Sequence, residues 1–184
     1  PPDAVTKPVV SRSALPQGAP AERLFQLIAG TGASEAGTVQ INGLALDDVS
    51  PGSLRRAIAR ITDKPVALRG SLRRTIALAV RDRPTDEEIM AFLADPWLHG
   101  LLERLGGLQR RLPEAARSLS TSDRVALSVL QAAVRKPGLL LVDAAAEHVL
   151  PGLTQWLDHG DASILREVGS ESEQSRRVER PAHI

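Results

Sequence analysis

The chain has 184 residues, of which 42% are hydrophobic and 24% charged, values that are typical of one soluble globular domain and exclude a disordered chain. Lysine and arginine together number 23 against 22 for aspartate and glutamate, and the net charge of +1 gives no general attraction to nucleic acid or to an acidic surface. The absence of cysteine excludes disulfides, thiolate nucleophiles and zinc fingers, and no apolar run is long enough for a membrane span, so a membrane is expected to be met only through a partner or a removed segment.

Turn and cap signals divide the N-terminal third into short elements. They predict a proline-rich tail and a first strand within residues 1–14, a helix at 22–29, a strand and turn at 38–43, and a helix from Ser50 through Ile58. The dipeptide Asn42-Gly43 after an alternating strand is typical of a two-residue β-hairpin turn. Pro51 directly after Ser50 indicates a helix start, because proline fits the first helical position.

The rest of the chain carries longer helical patterns and one apolar strand. The patterns predict helices at 85–94, 97–105, 120–136 and 153–157, and strands at Leu139–Val142 and 162–168. Thr85 with Glu88 three residues later is a capping box, and Ser120 with Asp123 is similar to one. The continuous apolar run Leu139–Val142 is typical of a parallel strand that is buried on both faces.

The order of these elements predicts the fold class. Strands that alternate with helices indicate an α/β fold with a parallel sheet. We expect one domain over residues 15–168, with a wholly helical subdomain at about 84–136, and a polar tail at 169–184 that has no helical or strand period.

Several collinear segments are similar to the motifs of one family. They are LFQLIAGTGASEAGTVQINGLALDDVSPGSLRRAIARI, DKPVALRGSLRRTIAL, EAARSLSTSD and KPGLLLVDA. In this order, over most of residues 15–150, they resemble the nucleotide-binding domain of an ATP-binding cassette (ABC) transporter of the exporter type. The resemblance implies a P-loop NTPase-like parallel sheet core, in which the N-terminal antiparallel strands are shortened or missing.

The phosphate loop of that family has a changed counterpart at residues 15–22. The family reads G-x-x-G-x-G-K-S/T, and only Gly18 is retained. The resemblance places Ala21 at the position of the family's lysine. It places Glu22 at the position of the serine or threonine whose hydroxyl holds magnesium. Such a loop binds phosphate through converging backbone N–H groups and a lysine charge, whereas Pro20 has no N–H to donate. The loop is therefore expected to be neutral or negative.

Three further positions differ from the residues that the resemblance implies. The glutamine that contacts the metal and the attacking water falls on Asp63. The signature L-S-G-G-Q becomes the segment 119–123, LSTSD, which ends in Asp123. The glutamate that serves as general base falls on Ala144, whose side chain cannot accept a proton.

Two other positions keep a group that could bind, and each has a second interpretation. Ser120 matches the signature serine and, with Gly18, is a candidate contact for nucleotide phosphate, although a serine there is also typical of a helix N-cap. Asp143 matches the metal-contact aspartate, although a carboxylate after a strand also commonly caps a loop.

These matches lead us to expect a degenerate nucleotide-binding domain that acts as a non-hydrolysing structural, dimerisation or regulatory half of an exporter. ATP and magnesium binding are expected to be weak or lost. The resemblance implies a transmembrane domain and a second nucleotide-binding domain, identical or different, as partners at the cytoplasmic face of the cell membrane. Nucleic acid is not an expected partner, because the chain has only two Trp and two Phe for base stacking.

Two alternative functions stay open at this point. In the first, the chain lends Ser120 to a composite ATP site with a competent partner and so takes part in ATP hydrolysis. In the second, it is a free-standing interaction module that reuses the fold, since a fold does not fix a function.

Overall fold

The computed structural model describes residues 10–11, 28, 40–41, 44–45, 48–78, 80, 83–159 and 162–166. Strands cover Val10–Ser11 (β1), Gln40–Ile41 (β2), Leu44–Ala45 (β3), Ile58–Ile61 (β4), Gly70–Ser71 (β5), Arg111–Leu112 (β6), Leu139–Val142 (β7) and Ser163–Arg166 (β8). Helices cover Pro51–Ala57 (α1), Leu72–Ala77 (α2), Asp86–Phe92 (α3), Pro96–Arg104 (α4), Thr121–Arg135 (α5), Ala144–Val149 (α6) and Leu153–His159 (α7), and a 3₁₀ turn covers Ala115–Ser118.

A parallel sheet of three strands in the order β4-β7-β8 organises the domain. The register pairs Ile61 with Val142, and Val142 with Arg166. β7 lies in the middle, and all four of its residues are buried, as its continuous apolar sequence predicts. The parallel sheet with helices confirms the predicted α/β, P-loop NTPase-like fold class.

The main hydrophobic core is formed by residues of this sheet and of helices α2 to α7. The sheet contributes Ala59, Ile61, Leu140 and Val142 to the core. Their neighbours along the strands, such as Leu141, point to the opposite face, because side chains alternate along a strand. α5 contributes Leu127, Leu130 and Val134, which are buried as the helical period predicts.

The N-terminal strands β1, β2 and β3 form a small antiparallel sheet. Ile41 pairs with Leu44, which leaves two residues between the strands and confirms the predicted hairpin. Of the strand predicted at 9–14 the structure describes Val10–Ser11, and of the helix predicted at 22–29 it describes Ile28. The counterparts of the phosphate loop, Gly18, Ala21 and Glu22, lie outside the described residues, as do both predicted tails.

The predicted helix caps are confirmed. Thr85 and Glu88 form a reciprocal capping box, in which the Glu88 amide donates to Thr85 Oγ1 at 3.2 Å and the Thr85 amide donates to Glu88 Oε2 at 2.7 Å. The Ser50 and Ser120 side chains each cap a helix N-terminus. These caps satisfy amide groups that have no partner inside the helix.

Two local predictions are wrong, and not every element was predicted. The helix predicted through Ile58 ends at Ala57, because Ile58 begins β4 and pairs with Leu139 of β7. The stretch 84–136 is not wholly helical, because β6 interrupts it and pairs antiparallel with β5. Helix α6, directly after Asp143, was not predicted.

None of the helices in the described part of the chain has both the length and the apolar character needed to cross a membrane.

Candidate functional site

A cavity of about 660 Å³ lies where β4 and β7 end. Asp63 follows β4 and Asp143 follows β7, and both line this cavity because the carboxyl ends of parallel strands meet at one edge of a sheet. Its cationic lining residues are Arg60, Lys64 and Arg135. The structure thus brings together Asp63 and Asp143, two positions that the sequence singles out. The lining as a whole contains three cationic side chains and two carboxylates.

Asp143 is buried and ion-paired. Only 8% of the residue is exposed, its amide donates to the Ile61 carbonyl at 3.0 Å, and its Oδ1 accepts a hydrogen bond from Arg60 Nε at 2.7 Å. It precedes α6 as the N-cap residue, but its side chain makes no capping hydrogen bond. The carboxylate is therefore held by Arg60, and the interpretation of Asp143 as a capping group is wrong.

Side chains of helix α5 make hydrogen bonds to backbone groups of β4 and of Thr62, which follows it. Ser128 Oγ accepts from the Thr62 amide and donates to the Arg60 carbonyl, both at 3.1 Å. About two turns further along the same face of α5, Arg135 Nη2 donates to the Ile58 carbonyl at 2.8 Å. Burial lowers the pKa of Arg135, because desolvation disfavours its charged form.

The signature counterpart lies elsewhere, at the start of α5. Ser120 is exposed, and its Oγ accepts a hydrogen bond from the Asp123 amide at 3.1 Å. Of its two interpretations, the helix N-cap is therefore confirmed. Asp123 Oδ1 lies 2.9 Å from Arg104 Nη2 of α4. Within the described residues, neither Ser120 nor Asp123 lines the cavity that holds Asp63 and Asp143.

The remaining polar groups of segment 119–123 are also bonded within the chain. Arg124 donates to the Leu119 carbonyl at 2.9 Å, to Thr121 Oγ1 at 3.1 Å and to the Asp63 carbonyl at 2.8 Å. Ser122 Oγ donates to the Val149 carbonyl at 2.9 Å and accepts from Arg104 at 3.0 Å. The side chains that replace the glycines of the family motif are thus tied to their own domain.

Ala144, the counterpart of the general base, is the first residue of α6. The arginines that organise the site, Arg60, Arg104 and Arg124, were missed by the sequence analysis. A prediction of the strand Ile58–Ile61 would have drawn attention to Arg60, because a charged residue inside a packed strand needs a partner, but that strand was not predicted. Nothing in the local sequence of Arg104 or Arg124 indicated their partners.

The described residues do not fit the magnesium ion that the fold family implies. The one carboxylate at the expected position, Asp143, already accepts a hydrogen bond from a guanidinium. In the described ranges, no group of three or more His, Asp or Glu side chains could hold a metal ion.

A parallel sheet with an acidic residue after its middle strand, and a helix capped by serine in the signature position, define an α/β domain of the P-loop NTPase-like class. No family model matches the chain. Its sequence is similar to those of several ABC transporters. An "ABC-type transporter kk1G" from Curvularia clavata is 30% identical over 141 residues, which is 72% of this chain and 10% of that protein.

Bacterial and animal relatives show the same similarity. The "Glutathione/L-cysteine transport system ATP-binding/permease protein CydD" of Escherichia coli (strain K12) is 30% identical over 114 residues, 61% of this chain and 19% of the relative. "Antigen peptide transporter 1" of Rattus norvegicus is 29% identical over 110 residues, 59% of this chain and 15% of the relative. The chain is an ABC transporter domain of the exporter type, and it spans about a tenth to a fifth of the length of these curated relatives.

Proposed function

We propose that this chain is a degenerate nucleotide-binding domain that serves an ABC exporter as a non-hydrolysing structural, dimerisation or regulatory half. The observation that carries the proposal is the internal bonding of segment 119–123, whose polar side chains all make hydrogen bonds or ion pairs within the domain. A segment that reaches across a dimer to a phosphate needs donors that point outward, whereas the Ser122 hydroxyl already donates to the Val149 carbonyl and the Asp123 carboxylate has no proton to donate.

Charge at the same segment also supports the proposal. Asp123 is 24% exposed in its side chain, so its carboxylate remains accessible to solvent while it pairs with Arg104. Two unit charges about 4 Å apart interact by roughly 4 kcal/mol at an effective dielectric constant near 20. A carboxylate in place of the signature glutamine therefore disfavours a polyphosphate by an amount that corresponds to a large loss of affinity.

The absence of a general base supports a function without hydrolysis. The position that follows Asp143 is Ala144, which begins α6 and has no group that could take a proton from water. With no carboxylate at this position, a bound nucleotide would lack the proton acceptor that hydrolysis requires. Binding and dimerisation do not depend on that group.

Exposed apolar side chains in the cavity lining support the proposal that the domain binds a membrane-spanning partner. The large apolar side chains Val66 and Leu78 are 74% and 45% exposed, and both line the cavity with Lys64 and Arg135. Burying an exposed aliphatic side chain favours association by about 1.5–3 kcal/mol. We propose that a segment of the transmembrane part, with apolar and acidic side chains, docks here and places the domain at the cytoplasmic face of the membrane.

Mixing the chain with a hydrolysing nucleotide-binding domain tests the proposal. Phosphate release by the mixture should equal that of the competent domain alone, and Ser120→Ala and Ser120→Asn should leave it unchanged. Asparagine keeps the N-cap while it removes the hydroxyl, so the pair separates loss of folding from loss of a phosphate contact. Exposed Ser118→Ala is the control. Stimulation that both Ser120 variants abolish would establish the composite-site alternative instead.

Membrane association has a separate test. Val66→Asp should weaken co-purification of the domain with the transmembrane part of its own transporter from detergent-solubilised membranes, because it places a charge in an apolar contact. Thr154→Asp changes an exposed residue of α7 and is the matched control. Equal recovery of both variants would contradict docking at Val66.

A further inference from the structure

The ion pair between Arg60 and Asp143 joins two neighbouring strands at the position where the family implies a metal. Arg60 lies on β4, where it pairs with Leu141 of β7, and Asp143 follows two residues after Leu141. The separation of 2.7 Å between Arg60 Nε and Asp143 Oδ1 is that of a short, charge-assisted hydrogen bond.

Both side chains are shielded from water, which makes the pair persistent. The Asp143 side chain is 11% exposed and that of Arg60 is 29% exposed. A carboxylate in such a position requires a compensating cation or several donors. Arginine supplies a charge that is not lost by deprotonation, so the compensation is permanent.

A divalent cation would compete with this arginine for the same oxygen. Magnesium needs oxygen ligands at about 2.0–2.1 Å in near-octahedral geometry, and it favours a site with further carboxylates or phosphates. An ion on Asp143 Oδ1 would lie within a few ångströms of the guanidinium and would be repelled by it. The other carboxylate that lines the cavity, Asp63, has no third acidic or histidine partner within the described residues.

We infer that Arg60 is a built-in replacement for the divalent cation at Asp143, so that the wild-type chain binds no magnesium or manganese at the carboxyl end of β7. The inference rests on the proposed function in so far as Asp143 is the counterpart of the family's metal-contact aspartate. It goes beyond that function because it names the residue that occupies the metal position. It also implies that removal of one side chain reopens the site.

Manganese binding measured by electron paramagnetic resonance tests the inference on the intact chain. The wild type should bind no Mn²⁺ at Asp143, so wild type and Asp143→Asn should give the same free-Mn²⁺ signal. Arg60→Gln keeps a long polar side chain but removes the charge. This variant should bind one Mn²⁺ ion, with an affinity at least about tenfold higher than that of any Mn²⁺ binding by the wild type. The double variant with Asp143→Asn should lose this gain.

Matched variants keep the result interpretable. Arg60→Lys retains a cation and should bind no manganese, and Arg73→Ala removes the guanidinium of another ion pair, with Asp86, and should also gain none. If Arg60→Gln does not fold, its melting temperature in millimolar Mg²⁺ replaces the resonance signal, and an ion that occupies the site should restore folding. Two outcomes would overturn the inference: manganese bound by the wild type and lost in Asp143→Asn, or a folded Arg60→Gln chain that binds none.

Failure of this inference is distinguishable from failure of the proposed function. Manganese on Asp143 in a wild-type chain that hydrolyses no ATP overturns the inference alone. ATP hydrolysis that Asp143→Asn leaves unchanged, in a chain that binds no manganese, overturns the proposed function and leaves the role of Arg60 intact.

Discussion

The hydroxyl of Ser128 accepts a hydrogen bond from the amide of Thr62 at 3.1 Å, and so joins the middle of α5 to the edge of the parallel sheet. The same oxygen donates to the Arg60 carbonyl at 3.1 Å. Among the described strands β4 is the outer one of its sheet, so these two backbone groups point away from β7 to a side on which no described strand lies. Ser128, which is 2% exposed, therefore supplies these two backbone groups with a hydrogen-bond partner on that side.

Ser128→Ala should destabilise the domain by about 1–3 kcal/mol, since it removes the hydrogen-bond partner of a partly buried amide and a partly buried carbonyl. Chemical denaturation, followed by circular dichroism, measures this change. Ser118→Ala alters an exposed serine and should stay within about 0.5 kcal/mol of the wild type. Equal midpoints for the two variants would show that the hydroxyl of Ser128 does not support the edge strand.

Gly152→Ala should also destabilise the domain. Gly152 has φ +83°, and a Cβ there would lie 2.5 Å from Nε1 of Trp97, whose ring stacks on Trp156 at 5.7 Å between centroids. The backbone conformation alone costs a residue with a side chain about 1–2 kcal/mol, and displacement of the indole adds to it. Thermal unfolding should report a lower melting temperature together with a changed tryptophan fluorescence.

Gly100→Ala is the control for this substitution. Gly100 lies in the interior of α4, and a Cβ there meets nothing within 4 Å. Alanine should stabilise the helix by about 0.5–1 kcal/mol. The pair of variants thus predicts opposite signs, and a Gly152→Ala protein as stable as Gly100→Ala would contradict the packing of Trp97.

The capping box at α3 gives a third prediction. Thr85→Ala should cost about 0.5–2 kcal/mol of unfolding free energy, because the Glu88 amide loses its acceptor. Thr85→Ser keeps the hydroxyl and should cost far less. Urea titration of the two variants measures their free energies of unfolding. Equal losses of this free energy in both variants would show that the methyl group of Thr85, rather than its cap, stabilises the helix.

Local signals in the sequence were sufficient for much of the fold. The capping box at Thr85, the Asn42-Gly43 hairpin and the buried strand β7 each depend on residues close together in the chain, and each is confirmed. β4 was missed because the sequence around Ile58–Ile61 continues the helical pattern of α1. Its strand conformation depends on pairing with β7, which is a tertiary effect that outweighs local preference.

The site was less predictable than the fold. The resemblance singled out Asp63 and Asp143 separately, and the structure places both in the lining of one cavity. The sequence did not indicate that Arg60 would hold Asp143, because 83 residues separate them and no local rule connects the two. For the same reason the bond from Arg124 to the Asp63 carbonyl, across 61 residues, could not be foreseen.

Calorimetric titration of the chain with ATP and magnesium tests the central proposal, a nucleotide-binding domain without a working nucleotide site, most directly. The substitutions at Ala21, Ala144 and Asp123, and the closed segment 119–123, predict no saturable heat up to millimolar ATP. The same result is predicted with and without magnesium. Saturable binding with micromolar affinity, lost when magnesium is removed, would contradict the proposal.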